Sequence, residues 1–597
     1  MTHWQRTHDC GKININHVGE ETVLNGWVNR NRDHGDLVFI DLRDRTGIVQ
    51  VVIDAGTSPE VMEAARSLRS EFCLSVRGRV RARREGAVNP NILTGEIEIV
   101  ADHLEILSTS KALPFQVSDE SAMAQVDETR RVKYRYIDIR RPKMYQMLAL
   151  RHKVVTLIRE FMNAEDFLEI ETPIFTKSTP EGARDYLIPY RLTPGYFYAL
   201  PQSPQQYKQL LMVGGVERYY QIARCFRDES QRADRQPEFT QLDLEMSFVT
   251  QEDILNLVER LITSVVGNVS EKQMLTPFPR LTWDEALRRY GSDKPDIRFG
   301  LELVDLSDIV RDSGFSAFDR ILANGGQVKA IRYPNGTKLS RKEVDVVAEF
   351  CKEFGAAGMA SVAVNELNAA GLKSPITKFF QPEKMEEILK ACEAEVGDLL
   401  CIVADMPKTV ANVLGRLRLE IGNRLGLRDL NKLYFNFVTD FPLVQWDETE
   451  KRWDAEHHPF TMPLEEHLQY FDTDPGRMRA QCYDLVCNGQ ESGSGSIRIH
   501  RADIQSKVFS LLGISEETQR ERFGHMLDAF SFGAPPHGGF APGIDRLLMN
   551  LLDEPNIREV MAFPKMGLGH DPMMEAPSLV DEAQMRELGL EVKPHKK

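Results

Sequence analysis

The 597-residue chain is poor in several features, and each shortage excludes something. No apolar run approaches the ~18 residues that a membrane-spanning helix needs, so no membrane association is expected. The first twenty residues interleave Arg6, His8, Asp9, Lys12 and Glu20, with no apolar secretory stretch after them, which leads us to expect a cytoplasmic protein. There are only eight cysteines, and the closest pair, Cys482 and Cys487, fits neither a C-x-x-C redox motif nor a zinc knuckle. Reduced, buried thiols are the expectation. Positive charge is outnumbered, with 74 Lys and Arg against 89 Asp and Glu. The net charge of -15 speaks against a general polyanion binder but leaves room for local basic surfaces. There is no internal repeat, no low-complexity tract and no G-x-x-x-x-G-K-[ST] loop, and residues 492–496 are not a strand-to-helix G-x-G-x-x-G turn.

What is present describes a folded protein of several domains. The apolar share is 42% and the charged share 27%, and at ~150 residues per domain the length suggests several domains. Residues 23–28, 37–42, 47–53, 72–83 and 95–107 are β-rich, and 64–69 is a short helical insert. Five strands with a helix after the third fit a small OB-type barrel over residues 1–107; a sandwich also fits the pattern. Residues 108–145 form a polar, then basic, hinge. Helix and strand signals alternate over 146–297, where Leu150, Val154, Leu157, Ile158 and Phe161 fall at helical spacing. Residues 298–423 are expected to be an inserted module, with a strand over 329–332, a helix over 341–354 and a strand after 355. The style of 146–297 resumes over 424–565, with a helix starting in 498–511, and 566–597 form an extension. Two basic surfaces are expected. Arg77, Arg79, Arg81 and Arg83 share one face of a strand, and seven Lys or Arg accompany the single acid Asp138 between Arg130 and Lys143. The bland alternative for either run is a solvated charged face.

Three segments carry chemistry. Phe226-Arg227-Asp228-Glu229 is followed by a loop and then by Phe239-Thr240-Gln241-Leu242-Asp243-Leu244-Glu245. Alternation puts Gln241, Asp243 and Glu245 on one strand face. Three polar side chains aimed the same way beside an Arg-x-Glu imply a polar pocket, and arginine's planar fork suits a phosphate. A surface hairpin with an ion pair would explain the charges but not the polar row. Gly543-Ile544-Asp545-Arg546 opens a helical pattern, and an arginine there can hold an anion or stack on a base. By itself the tetrad also reads as a capped surface helix. Phe167-Leu168-Glu169-Ile170-Glu171-Thr172-Pro173-Ile174 follows the long helix and says little alone.

In this order the three segments resemble motifs 1, 2 and 3 of the class II aminoacyl-tRNA synthetases, ending at Pro173, centred on Arg227 and Glu229, and ending at Arg546. The class I signatures, His-Ile-Gly-His and Lys-Met-Ser-Lys-Ser, are missing. Gln202-Ser203-Pro204-Gln205 with Lys208, Thr179-Pro180-Glu181-Gly182-Ala183-Arg184-Asp185, His457-His458-Pro459-Phe460-Thr461 and Glu491-Ser492-Gly493-Ser494-Gly495-Ser496-Ile497-Arg498 are similar to the aspartate-specific branch of class IIb. The segment entered through Tyr290-Gly291-Ser292-Asp293-Lys294-Pro295-Asp296 resembles the insertion of the bacterial type. Pro542 departs from the bulkier apolar residue common before Gly543. The resemblance covers nearly the whole chain. It implies an OB-fold anticodon-binding barrel, an α+β catalytic domain on an antiparallel sheet, an inserted α/β (GAD-type) domain and a homodimer joined through motif 1.

The activity implied is ATP-dependent formation of aspartyl-adenylate and transfer of aspartate to the 3′-end of tRNA-Asp. Lys208 and Arg498 would hold the side-chain carboxylate, so that asparagine would leave two buried cations unpaired. Ser203, Gln205 and Asp243 would hold the ammonium, with Glu181 and His457 closing the pocket. Arg227 would contact the attacking carboxylate and the α-phosphate. Phe239 and Arg546 would enclose the adenine, with Asp228, Glu229, Gln236, Gly543, Ile544 and Asp545 around the nucleotide; Arg227, Glu229 and Arg546 carry the catalytic roles. Asp484 and Glu491 would bind Mg²⁺, with Glu491 also at the ATP. In the barrel, Phe39 and Gln50 match positions that meet the anticodon, with Arg30 and Arg32 on the backbone. His34 and Gly86 resemble the relaxed group that also charges tRNA-Asn. The competing readings are a sister synthetase for asparagine or lysine, a non-catalytic RNA-binding paralogue and a single-stranded DNA-binding barrel protein.

Overall fold

Apolar and polar residues alternate through the first strands, and the alternation rolls them into a barrel. In Glu21–Asp33, Leu24 and Val28 are buried while Arg30 is exposed. With Val38–Asp44, Gly47–Ile53, Cys73–Ala82 and Ile97–Ser108 this strand forms a closed five-stranded barrel, in which the third strand pairs with the fifth in parallel and the other pairs are antiparallel. Leu24, Ile40, Val51, Leu74 and Ile99 fill the interior. Helix Pro59–Ser67 stands between the third and fourth strands. It begins where the Ser58 side chain accepts the Val61 N–H and Pro59 supplies a preset φ. The expected barrel is present. The computed structural model describes residues 4–179, 182–230 and 232–593. They divide into a unit made of the residues up to Ala149 with Met561–Ser578, and a unit made of Leu150–Val560 with the segment from Leu579 onward.

One of the two basic runs is a surface only in part: Arg130, Lys133 and Lys143 are exposed, while three of its arginines turn inward. Residues 120–138 form three short helices, and the carboxylate of the fully buried Asp138 accepts hydrogen bonds from Arg131, Arg135 and Arg141. Arg135 also donates to the carbonyls of Met561 and Ala562. Burial opposes ionisation of Asp138, but the hydrogen bonds from Arg141 and Arg131 outweigh it and hold the carboxyl below the ordinary range. The density of arginine here serves internal charge pairing. The other run does lie on an exposed strand face, although Arg77 pairs with Asp102 and Arg81 with Glu98.

The second unit is built on an eight-stranded sheet. Its order is Arg280–Thr282, Phe435–Thr439, Cys482–Cys487, Gln490–Ile497, His537–Pro542, Glu238–Ser247, Arg218–Phe226 and Leu168–Glu169. The five inner pairings are antiparallel and both edge pairings are parallel, so the sheet is mixed. Helix Gln251–Gly267 opens on a Thr250–Asp253 capping box and buries Ile254, Leu257, Val258, Leu261 and Val265. Arg498 follows the strand Gln490–Ile497, and the helix expected in that stretch begins only at Ala502. The segment 538–552 resolves into the strand His537–Pro542 and the helix Ile544–Leu552.

Between the first and second parts of this sheet the chain makes a separate five-stranded antiparallel sheet. Its order is Val304–Asp305, Gln327–Tyr333, Leu399–Asp405, Ala360–Val364 and Leu372–Lys373. The alternation Val328, Ala330 against Ile331, Tyr333 feeds two apolar clusters. Helix Arg341–Glu353 starts at a Ser340–Glu343 capping box, and helix Pro407–Arg424 returns the chain to the large sheet. Among the described residues no helix is long and apolar enough to cross a membrane.

Candidate active site

Why does a strand in the middle of a large sheet carry acids? Glu238–Ser247 pairs with Arg218–Phe226 on one side and His537–Pro542 on the other. Leu242 and Leu244 turn to one face, while Gln241, Asp243 and Glu245 turn to the other. That polar face and its neighbours enclose a cavity of about 360 Å³, within the range of small-molecule sites of ~300–1,000 Å³. The walls come from the loop after Phe226, from helix Gln205–Val213, from Gln490–Ile497 and from the start of helix Ile544–Leu552.

At the deep end are four ionisable side chains with almost no solvent contact. Lys208 is 2% exposed, Arg498 3%, and Asp243 and Glu245 0%. The Lys208 ammonium lies 2.9 Å from Asp243 Oδ1 and 3.3 Å from Glu245 Oε2. Arg498 donates Nε to Glu245 Oε1 at 2.9 Å and Nη2 to Oε2 at 3.2 Å. Its Nη1 donates to Ser496 Oγ at 2.6 Å and meets His458 Nε2 at 2.9 Å. Burial pushes Glu245 up, but Arg498 and Lys208 outweigh it and hold the carboxyl low. Burial wins at Asp243, which is raised despite Lys208. His458 is driven well below its ordinary value by burial and then by the Arg498 charge, so it is a neutral ring at physiological pH. Glu245 fits because its neighbour is glycine: a Cβ on Gly539 would overlap Glu245 Oε2.

The shallower end suits a nucleotide. The Arg227 guanidinium stacks 5.0 Å above the centre of the Phe239 ring. Arg546, from the first turn of its helix, donates to the Glu491 carbonyl at 2.8 Å and to Asp234 Oδ2 at 3.2 Å. Asp545 is buried and accepts the Thr240 N–H, so it orients the helix that presents Arg546. Glu229 pairs with Arg235 at 2.9 Å. Asp484 and Glu491 lie on adjacent strands joined by a register shift between Leu485 and Val486. Burial and the Glu491 charge push Asp484 well up, and its buried Oδ1 has no hydrogen-bond partner among the described residues. Glu491 is held low because Lys294 and then Arg546 outweigh its burial. Two converging carboxylates with an unsatisfied oxygen are a donor set for a hard divalent cation.

Of the residues singled out from the sequence, Ser203, Gln205, Lys208, Arg227, Glu229, Gln236, Phe239, Asp243, His457, Glu491, Arg498, Gly543, Asp545 and Arg546 line this one cavity. Asp228 and Ile544 do not. The Asp228 N–H donates to the Arg184 carbonyl, and Ile544 is packed in the core. Asp484 is buried and is not among the lining residues, and Glu181 lies outside the described residues. Sequence reasoning did not assign roles to Glu245, His458, Ser496, Asp234 or Lys294. Glu245 was legible as the third member of the polar row. On the barrel, Arg30, Arg32, Phe39 and Gln50 share the outer face, and Phe39 is half-buried with exposed His34 against it at 5.8 Å between ring centres. Arg32 forms a two-bond pair with Asp41 and reaches Gln50, which donates to Glu98. Phe39 is therefore not a core residue, and Gly86 is exposed in a turn.

Residues 127–567 match the family of class II tRNA synthetases (D, K and N), and residues 22–107 match an OB-fold nucleic acid binding domain. The chain is 55% identical to the aspartate–tRNA ligase of Geobacillus kaustophilus (strain HTA426), over 98% of this chain and 99% of that protein. It is 53% identical to the aspartate–tRNA(Asp/Asn) ligase of Geobacillus sp. (strain WCH70), over 99% of each. The fold is similar to that of asparaginyl-tRNA synthetase from Pyrococcus horikoshii complexed with asparaginyl-adenylate, with a TM-score of 0.59 at 18% identity over 93% of this chain and 97% of that one. It is also similar to aspartyl tRNA synthetase from Entamoeba histolytica, with a TM-score of 0.57 at 18% identity over 92% and 89%.

Proposed function

This chain belongs to the class II tRNA synthetases, among the bacterial aspartate–tRNA ligases, and from that premise we propose how its own residues select and activate aspartate. The carrying observation is the buried tetrad of Lys208, Arg498, Asp243 and Glu245. Lys208 and Arg498 receive the side-chain carboxylate of aspartate, and the Asp243 Oδ2 that lacks a partner among the described residues receives the ammonium. Ser203 and Gln205 flank that ammonium, with Glu181 and His457 closing the pocket. A neutral asparagine side chain would leave two buried cations facing an amide, and a buried polar mismatch of this kind discriminates by ~10⁴ or more. A lysine side chain would set a third cation against them.

No side-chain nucleophile is required. The α-carboxylate of aspartate attacks the α-phosphate of ATP and pyrophosphate leaves. Catalysis is positioning and charge neutralisation, which Arg227 supplies at the attacking carboxylate and Arg546 at the nucleotide. Adenine lies between Phe239 and Arg546, so Arg227 moves off the Phe239 face when ATP enters. Gln236, Glu229, Gly543 and Asp545 frame the nucleotide. Asp484 and Glu491 hold Mg²⁺, which supplies charge neutralisation at the phosphates when bound.

The outer barrel face with Phe39, Gln50, Arg30 and Arg32 takes the anticodon, an aromatic and a glutamine amid arginines being suited to unpaired bases. His34 and Gly86 mark acceptance of tRNA-Asn as well as tRNA-Asp, in line with the Asp/Asn naming of several relatives. The chain acts in the cytoplasm as a homodimer. Motif 1 and the two residues after it leave Leu168, Ile174 and Phe175 exposed at 57%, 40% and 59%, an apolar edge suited to a second copy. The test is aspartate-dependent pyrophosphate exchange into ATP, followed by aspartate charging of tRNA-Asp and tRNA-Asn transcripts. Exchange without asparagine or lysine activity supports the reading; exchange with asparagine in place of aspartate overturns it. Charging of tRNA-Asp alone removes the relaxed specificity and keeps the rest.

A further inference from the structure

One cation at the nucleotide end has no part in the steps above. Lys294 Nζ lies 3.1 Å from Glu491 Oε2, and the lysine side chain is 38% exposed. It sits where the chain leaves the large sheet for the inserted module, on a loop held from two sides. Gly291 ends helix Trp283–Tyr290 in the left-handed conformation at φ 68°. It packs against Gly415 of helix Pro407–Arg424 so closely that a Cβ on either would overlap the other's backbone. From the same helix the buried Arg418 donates to the carbonyls of Asp296 at 2.9 Å, Phe299 at 2.7 Å and Gly300 at 2.8 Å. On the sheet side, Asn436 Nδ2 donates to the Pro295 carbonyl at 3.3 Å. The backbone is pinned, while the four-carbon stem of the lysine is free to swing.

We propose that Lys294 is a positioning residue of the nucleotide site: its ammonium holds Glu491 until a divalent cation displaces it. The proposal rests on the reading that Asp484 and Glu491 take the metal. Without a cation nearby, Glu491 would face a second carboxylate across adjacent strands, and like charges at short range repel. The lysine is the nearer of the two cations that compensate that charge, the other being Arg546, whose Nη1 lies 3.7 Å from Glu491 Oε1. An ammonium 3.1 Å from Glu491 Oε2 and a metal ion on the same carboxylate repel each other, so the two cations compete and metal entry is an exchange in which Lys294 swings away. Because the last helix of the inserted module pins the loop, the module sets where Lys294 stands. No bond forms or breaks in this exchange, and one cation replaces another on the carboxylate.

The experiment is a Mn²⁺ titration of the full-length, nucleotide-free protein, followed by the electron paramagnetic resonance signal of free Mn²⁺. Lys294→Met should bind Mn²⁺ about fivefold more tightly than the unaltered chain, as expected when a half-exposed competing ion pair is removed. Lys294→Arg keeps the charge and the reach and should restore the original affinity. Lys408→Met, which removes a charge that does not pair with Glu491, should leave it unchanged, and Glu491→Gln should weaken it. In pyrophosphate exchange, Lys294→Met should lower the Mg²⁺ concentration for half-maximal rate and leave the KM for aspartate alone. Unchanged or weaker Mn²⁺ binding in Lys294→Met, with Glu491→Gln still weakened, overturns the proposal while the metal reading stands. Equal tightening in Lys408→Met reduces the effect to a long-range field and also overturns it. Binding indifferent to Glu491→Gln removes the metal reading, and the proposal falls with it.

Discussion

Replacing Glu245 with glutamine tests the charge balance of the pocket most directly. The substitution keeps shape and volume and removes one negative charge from a group of two cations and two carboxylates with no solvent contact at the carboxylates. Glu245 accepts two hydrogen bonds from Arg498, at 2.9 and 3.2 Å, and lies 3.3 Å from the Lys208 ammonium. A unit-charge pair about 4 Å apart at an effective dielectric of ~20 is worth about 4 kcal/mol. Removing one partner of a buried pair costs about 3–5 kcal/mol, because the survivor is left uncompensated. Glutamine also turns its amide N–H₂ or carbonyl toward two groups that can only donate. We therefore expect the catalytic unit to lose about 3–5 kcal/mol. Hydrogen exchange at the strand Glu238–Ser247 reads that loss locally, as an acceleration of roughly two to four decades. Saturating aspartate should recover at least half of it, because the side-chain carboxylate of the ligand supplies the missing negative charge. Exchange at the original rate, or an acceleration that aspartate does not reduce, would refute the idea that the tetrad is a balanced receptor for a carboxylate.

Lys208→Met should lower kcat/KM for aspartate in pyrophosphate exchange by about 10²–10⁴ and narrow its preference over asparagine, since the loss of a buried charge-assisted bond costs ~3–5 kcal/mol. A preference left intact would remove Lys208 from the selectivity. Asp138→Asn should destabilise the barrel-bearing unit by about 3–5 kcal/mol, because buried Arg135 and Arg141 lose their carboxylate. Asp138 is depressed from its ordinary value of 3.8, so its contribution is fully present above about pH 4 and is lost as pH falls through the lower folded value. Acid titration followed by urea melts checks the sign; a loss that begins near neutral pH would contradict it. Phe39→Ala should weaken tRNA binding by about 1–3 kcal/mol per stacked base while leaving pyrophosphate exchange unchanged, and a drop in exchange would place Phe39 in folding instead. His34→Leu with Gly86→Lys should lower charging of tRNA-Asn relative to tRNA-Asp, and an unchanged ratio would detach these positions from specificity.

The barrel was legible from alternation and turn signals. In Glu21–Asp33 and Val38–Asp44 the buried apolar residues Leu24, Val28, Val38, Ile40 and Leu42 fall at even spacing, and Asn25, Asn29 and Asp41 turn the other way, so a period of two settles both the strand and its buried face. The polar row of Gln241, Asp243 and Glu245 was legible for the same reason. The basic stretch from Arg130 to Lys143 misled, because composition counts charges without showing where they point. Folding turns three of those arginines onto Asp138. Phe39 was undecided between core and surface until the barrel closed and left it on the outside.

By itself, then, the sequence determined what depends on local periodicity and on motifs in order: the barrel, the pocket-bearing strand, the segments around Arg227 and Arg546, and the family they belong to. Only the tertiary structure decided which charges meet. Lys208, Asp243, Glu245 and Arg498 come from segments 290 positions apart from first to last, yet they form one neutral group. Lys294 reaches Glu491 across nearly 200 positions. The strength of a charge pair depends on distance and on exclusion of water, and neither quantity is local in the chain.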